Sequence, residues 1–198
     1  MMQNLKYILI LVLLVSAACN QQIDTSINEN PKSKTDQIYA SVDGKKITEE
    51  EMEYECFRAQ LQTAIANKSP QNACPEEQTI ISQIIELKAI DFLAEEKGVT
   101  ATEEEVQNRL SQLKNDLALS SVFQEMIASF GEERFWKYEK ERYFTIINSE
   151  KIKEKLIEEK KREHSYFDEE SLKLTAKKEF DDLLVEAVGL VDTTIFYH

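Results

Sequence analysis

Glycine and proline are scarce in this chain. Four Gly and three Pro in 198 residues are too few for the closely spaced turns of an all-β sandwich. Histidine is scarcer still, with only His164 and His198. Neither has a cysteine or a carboxylate cluster near it in sequence, so a zinc site or a nucleophile–histidine pair has little to be built from. No HExxH, GxSxG, glycine-rich phosphate loop or CxxC occurs. We therefore expect no enzyme, no cofactor and no metal centre. Positive charge is short as well: 24 Lys and Arg stand against 37 Asp and Glu, a formal net charge of −13. Nucleic-acid binding needs clustered cations to neutralise phosphates, so that class is disfavoured, as is a polybasic membrane patch.

What is present begins with a leader. Lys6 gives it a positive start, Ile8 to Val15 forms an eight-residue apolar run, and Ser16, Ala17 and Ala18 supply small side chains for cleavage. The run is far shorter than the ~20 residues of a spanning helix. Cys19 stands directly behind it. The stretch Leu14-Val15-Ser16-Ala17-Ala18-Cys19 resembles the lipobox of bacterial lipoproteins, in which the thiol receives a diacylglycerol before cleavage. That resemblance implies a lipoprotein signal peptide over 1–18, lipidation (a palmitate-type anchor) at Cys19, and an extracytoplasmic place on a membrane of the bacterial cell envelope. An ordinary secretory signal with an incidental cysteine is the alternative. Residues 19–37 are polar, contain Pro31 and lack apolar periodicity, the pattern of a flexible tether. The folded domain is expected over 38–198.

Abundant Glu, Lys, Leu, Ala and Gln point to helices. Ile38, Ala40 and Val42 alternate with Tyr39 and Ser41, and Asp43-Gly44 then predicts a tight turn into Lys45-Lys46-Ile47. Thr48 with Glu51 three residues on reads as a capping box, opening a helix to about Asn67. Pro70 marks a loop, and Pro75 suits the first position of a second helix that ends at Lys97 and Gly98. Its apolar residues wrap most of its surface, as in a central helix. Thr102-Glu103-Glu104-Glu105 opens a third helix. A short apolar helix over 121–130 stops at Gly131, and an unbroken helix runs from Glu132 to about His164. That helix would be about 50 Å long, and its second half keeps only Ile152, Leu156 and Ile157, so part of it is expected to project. Asp168 caps a last helix ending at Gly189, followed by a closing strand within Val191–Tyr197 that pairs with the first. The Glu runs at 49–51 and 103–105 sit at helix starts, where capping and the helix dipole account for them better than paired catalytic carboxylates.

The order Val42-Asp43-Gly44-Lys45-Lys46-Ile47-Thr48-Glu49-Glu50-Glu51, Ile84-Ile85-Glu86-Leu87-Lys88, Lys97-Gly98-Val99-Thr100-Ala101-Thr102-Glu103-Glu104-Glu105-Val106 and Phe130-Gly131-Glu132-Glu133-Arg134-Phe135 resembles the N-terminal chaperone domain of the SurA and PrsA foldases, a fold related to the peptide-binding part of trigger factor. The resemblance spans about Ile38 to Tyr197. It implies a mainly α domain with a small β element joining the two chain ends, and binding of unfolded or newly translocated polypeptides. Members with prolyl isomerase activity carry a parvulin domain between the long helix and the last helix. Here only Ser165, Tyr166 and Phe167 separate His164 from Asp168, so the resemblance implies holding without isomerisation.

A holding surface needs apolar groups that tolerate many sequences, which Met and flat aromatic rings provide. Phe123, Met126, Ile127, Phe130, Phe135, Trp136 and Tyr143 are the densest group, with Met52 and Phe57 as candidates to face it. The competing assignment is core. Cys56 and Cys74 are an even pair outside the cytoplasm, close enough along the chain for a disulfide, with two separate thiols as the alternative. An interaction module for one folded partner is the second functional class, and a homodimer is compatible with the sequence. The lipoprotein reading predicts that Cys19→Ser moves the protein from the membrane to the soluble fraction of fractionated cells. Unchanged membrane partition of that variant would refute lipid anchoring at this cysteine.

Overall fold

The computed structural model describes residues 37–67, 73–164 and 166–196. The expectations for the leader, Cys19, the tether, Pro70 and His198 lie outside these residues. Within them the fold is mainly α, with the order β1 (Ile38–Val42), β2 (Lys45–Thr48), α1 (Glu49–Asn67), α2 (Glu77–Lys97), α3 (Glu103–Leu117), α4 (Ser121–Phe130), α5 (Glu132–Glu163), α6 (Glu169–Leu190) and β3 (Thr193–Ile195). The strands form one antiparallel sheet in the order β2-β1-β3.

The hairpin turn is type I′, with positive φ at both Asp43 (49°) and Gly44 (74°). The Asp43 N–H donates to the Asp192 carbonyl at 2.8 Å, and the Asp192 N–H donates to Asp43 Oδ1 at 2.8 Å. One turn therefore closes the hairpin and also locks the returning C-terminal strand. Both capping boxes form. Glu51 N–H donates to Thr48 Oγ1 and Thr48 N–H to Glu51 Oε2, and Thr102 and Glu105 make the same exchange at α3.

α2 is the inner helix. Its first half lays Ile80, Ile81, Ile84 and Ile85 against Ala40, Val42 and Ile47 of the sheet, together with Met52 and Val191. Its second half turns Ala89, Leu93 and Ala94 toward α5 and α6. Burying an isoleucine contributes about 1.5–3 kcal/mol, so the four on α2 hold the sheet in place. The start of α2 differs from expectation: Glu76 is the N-cap, with extended backbone (φ −58°, ψ 144°), and Pro75 lies one residue ahead of it. Just upstream, Cys74 is joined to Cys56 of α1 as a disulfide, with Cα atoms 5.1 Å apart.

The long helix also needs correction. The second half of α5 does not project: Ile152 and Leu156 are fully buried between α2 and α6. Small side chains on the flanking helices (Ala89, Ala94, Ala176 and Ala187) let the axes approach closely. Two or three large apolar residues are then enough to seal the seam. Gly189 does not end α6 either, because its backbone stays helical and the helix runs on to Leu190 before Val191 enters the core.

Leu156→Ala should lower stability by about 2–5 kcal/mol in urea unfolding followed by circular dichroism. A projecting helix end would confine the change to about 0.5 kcal/mol, so the size of the effect decides between the two arrangements.

Candidate functional site

α1, α4 and the start of α5 bring most of the aromatic candidates into one cluster. Phe57 stacks on Phe130 with centroids 4.3 Å apart and meets Phe135 edge-on at 5.9 Å. Phe135 in turn meets Phe123 at 5.7 Å and Trp136 at 4.9 Å, both edge-on. Met126 and Ile127 fill the same cluster. Two candidates are elsewhere: Met52 belongs to the sheet cluster, and Tyr143 packs with Val106, Leu110 and Ile147 under α3.

Burial divides these residues. Met52, Phe57, Phe123, Met126, Ile127 and Phe135 are buried, so as a client surface this part of the group is corrected to core. The reason is that α4 folds back on α1 and α5 and closes the cluster. Phe130, Trp136 and Tyr143 are half-buried. A cation sits over two of these rings, Arg134 over Phe130 at 4.5 Å and Lys114 over Trp136 at 4.6 Å. In such cation–π contacts the positive charge is attracted to the electron-rich face of the ring.

Beside the cluster, α1 and α5 are joined by buried ion pairs that sequence inspection missed. Arg58 Nε donates to Glu139 Oε1 at 2.9 Å, and the Tyr54 hydroxyl donates to the same oxygen at 2.8 Å. Arg142 Nη1 donates to Glu55 Oε1 at 2.5 Å, and the Tyr138 hydroxyl to Glu50 Oε2 at 2.6 Å. Burial works against the charge on Arg58, but Glu139 beside it overcomes this and holds its pKa above the ordinary value. Burial, reinforced by the Glu139 charge, pushes the Tyr54 phenol well up, so it stays a donor.

Next to these pairs lies a cleft of about 160 Å³ between α1, α2 and α5, lined by residues that include Glu51, Tyr54, Lys88, Asp91, Arg142 and Thr145. Asp91 accepts from the Thr145 hydroxyl and the Asn148 amide, each at 2.8 Å, and Asn148 Oδ1 accepts from the Ala101 N–H at 2.6 Å. Burial raises the Asp91 pKa against the pull of these hydrogen bonds. The cleft's polar groups therefore mostly satisfy one another. Among the described residues no cluster of three His, Cys, Asp or Glu is arranged to hold a metal ion, and His164 is stacked on Phe167 at 4.7 Å.

The large apolar side chains that do reach solvent are mostly ones the sequence did not single out. Leu119, Tyr166, Leu174, Val185 and Leu190 are all more than half exposed, and Ile195 and Phe196 are exposed at the sheet edge. Leu174 and Val185, eleven residues apart, share the outer face of α6. Nothing in a single sequence marks them as outward, because the same helix carries its inward Leu172, Ala176 and Phe180 interspersed with outward apolar residues.

The helical body is built around one long helix, and its first and last strands, β1 and β3, are joined in one small sheet. Over residues 1–169 the chain matches the family described as SurA-like N-terminal domain, and it belongs to that chaperone-related family. The match ends at the first residue of α6. No curated protein and no solved structure matches the chain.

Removing one member of a buried pair leaves the other charge uncompensated, at a cost of about 3–5 kcal/mol, whereas replacing both by apolar groups is often neutral. Arg58→Met should therefore destabilise the fold by about that amount in chemical denaturation, and adding Glu139→Leu should recover most of the loss. Additive losses would show that the two side chains act independently and that no coupling between them is lost in either single variant.

Proposed function

We propose that this protein is a lipid-anchored, extracytoplasmic holding chaperone that binds unfolded or newly translocated polypeptides without isomerising prolyl bonds. Its organisation would be a signal peptide over 1–18, a flexible tether over 19–37 anchored to a membrane of the bacterial envelope through lipidated Cys19, and the binding domain over 38–198. The observation that carries this reading is membership of the SurA-like N-terminal family, together with a direct passage from α5 to α6. Only five residues lie between Glu163 and Glu169, which leaves no inserted domain at the place where isomerase members of the resembling foldases carry one.

Phe130, Trp136 and Tyr143 remain the client contacts from the sequence reading, since they keep exposed ring surface. Flat rings on a rigid helix bind varied apolar segments at little entropic cost. The net charge of −13 would speed the encounter with segments carrying Lys and Arg and disfavour acidic ones. Outside the cytoplasm no nucleotide cycle is needed for such contacts, because capture and release follow affinity alone.

The test is aggregation of a reduced, unfolded secreted protein with and without the full chain, with a prolyl isomerisation assay on the same sample. Suppressed aggregation with no acceleration of isomerisation is the expected result. No suppression, combined with recovery of one folded partner, would replace this reading with that of a dedicated interaction lipoprotein.

A further inference from the structure

The two edges of the sheet are unlike. β2 presents Lys45 and Lys46, both exposed, and edge lysines are a common guard against pairing with another strand. β3 carries no such guard: it reads Thr193, Thr194, Ile195 and then Phe196, all β-formers without charge or proline. Among the described residues no strand lies beyond it.

The register tells which backbone groups face outward. Phe196 N–H donates to the Tyr39 carbonyl at 2.9 Å, and Asp43 N–H to the Asp192 carbonyl. Residues 192, 194 and 196 thus pair inward, and in an antiparallel ladder the alternating residues Thr193 and Ile195 turn their N–H and C=O groups away from β1. A second feature points the same way. Ile195 lies opposite Ala40 on the core-facing side of the sheet, yet it is 41% exposed where Ala40 is 0%. Among the described residues the inner face continues past the last strand and leaves Ile195 uncovered.

We propose that the outer edge of β3 is a strand-addition site, at which an extended segment of an unfolded polypeptide pairs with Thr193 and Ile195 and covers Ile195. This rests on the holding function above and specifies how a client is gripped. Main-chain pairing reads the peptide backbone rather than its side chains, which suits a site that must accept many sequences. An edge of about four residues buries far less than the ~1,600 Å² of a stable protein interface, so it fits a transient peptide rather than a second copy of this chain. Charge agrees: Asp43 and Asp192 flank the strand on a chain of net charge −13, which repels a second copy and favours a basic segment. The strand lies outside the stretch matched by the family.

The experiment uses the full chain and a fluorescent ten-residue peptide of alternating Val and Lys, read by anisotropy. A second peptide carries N-methyl groups on alternate backbone nitrogens, which abolishes strand pairing and leaves the side chains in place. Ile195→Pro removes one outward N–H while leaving the bonds to β1, a substitution that edge strands tolerate. Leu174→Lys, on the outer face of α6, is the control. We expect about ten-fold weaker binding for the N-methylated peptide and for Ile195→Pro, no change for Leu174→Lys, and slowed amide exchange at Thr193 and Ile195 when the unmodified peptide binds. If wild-type chain suppresses aggregation but binds both peptides equally, with amide exchange at Thr193 and Ile195 unaltered, strand addition is wrong and the holding function stands. Should the wild type neither bind peptide nor suppress aggregation, both fail together. A dimer in sedimentation that Ile195→Pro abolishes would assign the edge to a second copy and overturn the proposal. If Ile195→Pro fails to fold, the N-methyl comparison and the exchange data decide alone.

Discussion

At 1.5 Å per residue α5 runs for about 48 Å, while α2 and α6 are each about 32 Å long. No one helix can cover it, so its partners come in series. The first turns receive α1 and α4 through the aromatic cluster, the middle receives α2 through Asp91, Thr145 and Asn148 and α3 through Val106, Leu110 and Ile147, and the last turns lie between α2 and α6 through Ile152 and Leu156. Each stretch of α5 carries side chains suited to its own neighbour. Sliding the helix by one turn would set Glu139 against aromatic rings and Asn148 against apolar ones, which burial of unpaired polar groups makes costly.

The buried polar links have a different job from the apolar clusters. A buried ion pair adds little net stability, because desolvation offsets most of the attraction. Its strength is selective: Arg58 and Tyr54 converge on a single oxygen of Glu139, and Asn148 joins Asp91 to the Ala101 backbone. Any other register of α1, or of the loop before α3, would strand a charge or an amide. We regard these links as fixing the register that the aromatic and aliphatic clusters then stabilise.

This arrangement bears on how an unfolded chain would be held. Phe57, Phe123 and Phe135 are spent on closing α4 against α1 and α5, while Phe130 and Trp136 of the same cluster stay half-buried. The described residues therefore offer scattered exposed apolar side chains and an unguarded strand edge at β3. Scattered weak contacts suit capture that must be reversed without an energy source, since many partial contacts are lost one at a time. An acidic surface of this kind would add to the encounter rate more than to the affinity.

How much of this was legible in the sequence follows from the range of the forces. The type I′ turn at Asp43-Gly44, the capping boxes at Thr48 and Thr102, the Asp168 cap and the break at Gly131 are each decided within three or four residues, and they stand where the local pattern put them. Family, fold class and the pairing of the first strand with the last were legible as well, because they rest on the order of those local signals. Which rings are core and which are surface was not, and neither was the burial of the second half of α5. Phe123 and Trp136 look alike in sequence, and only the return of α4 onto α1 buries the first and leaves an edge of the second in water. Arg58 and Glu139 lie 81 residues apart, and nothing local pairs them. The sequence by itself determined where most elements start and stop, the start of α2 and the end of α6 apart, since hydrogen bonds along the backbone reach only three or four residues. Tertiary structure alone decided what each element touches, since burial depends on whatever the rest of the chain brings alongside.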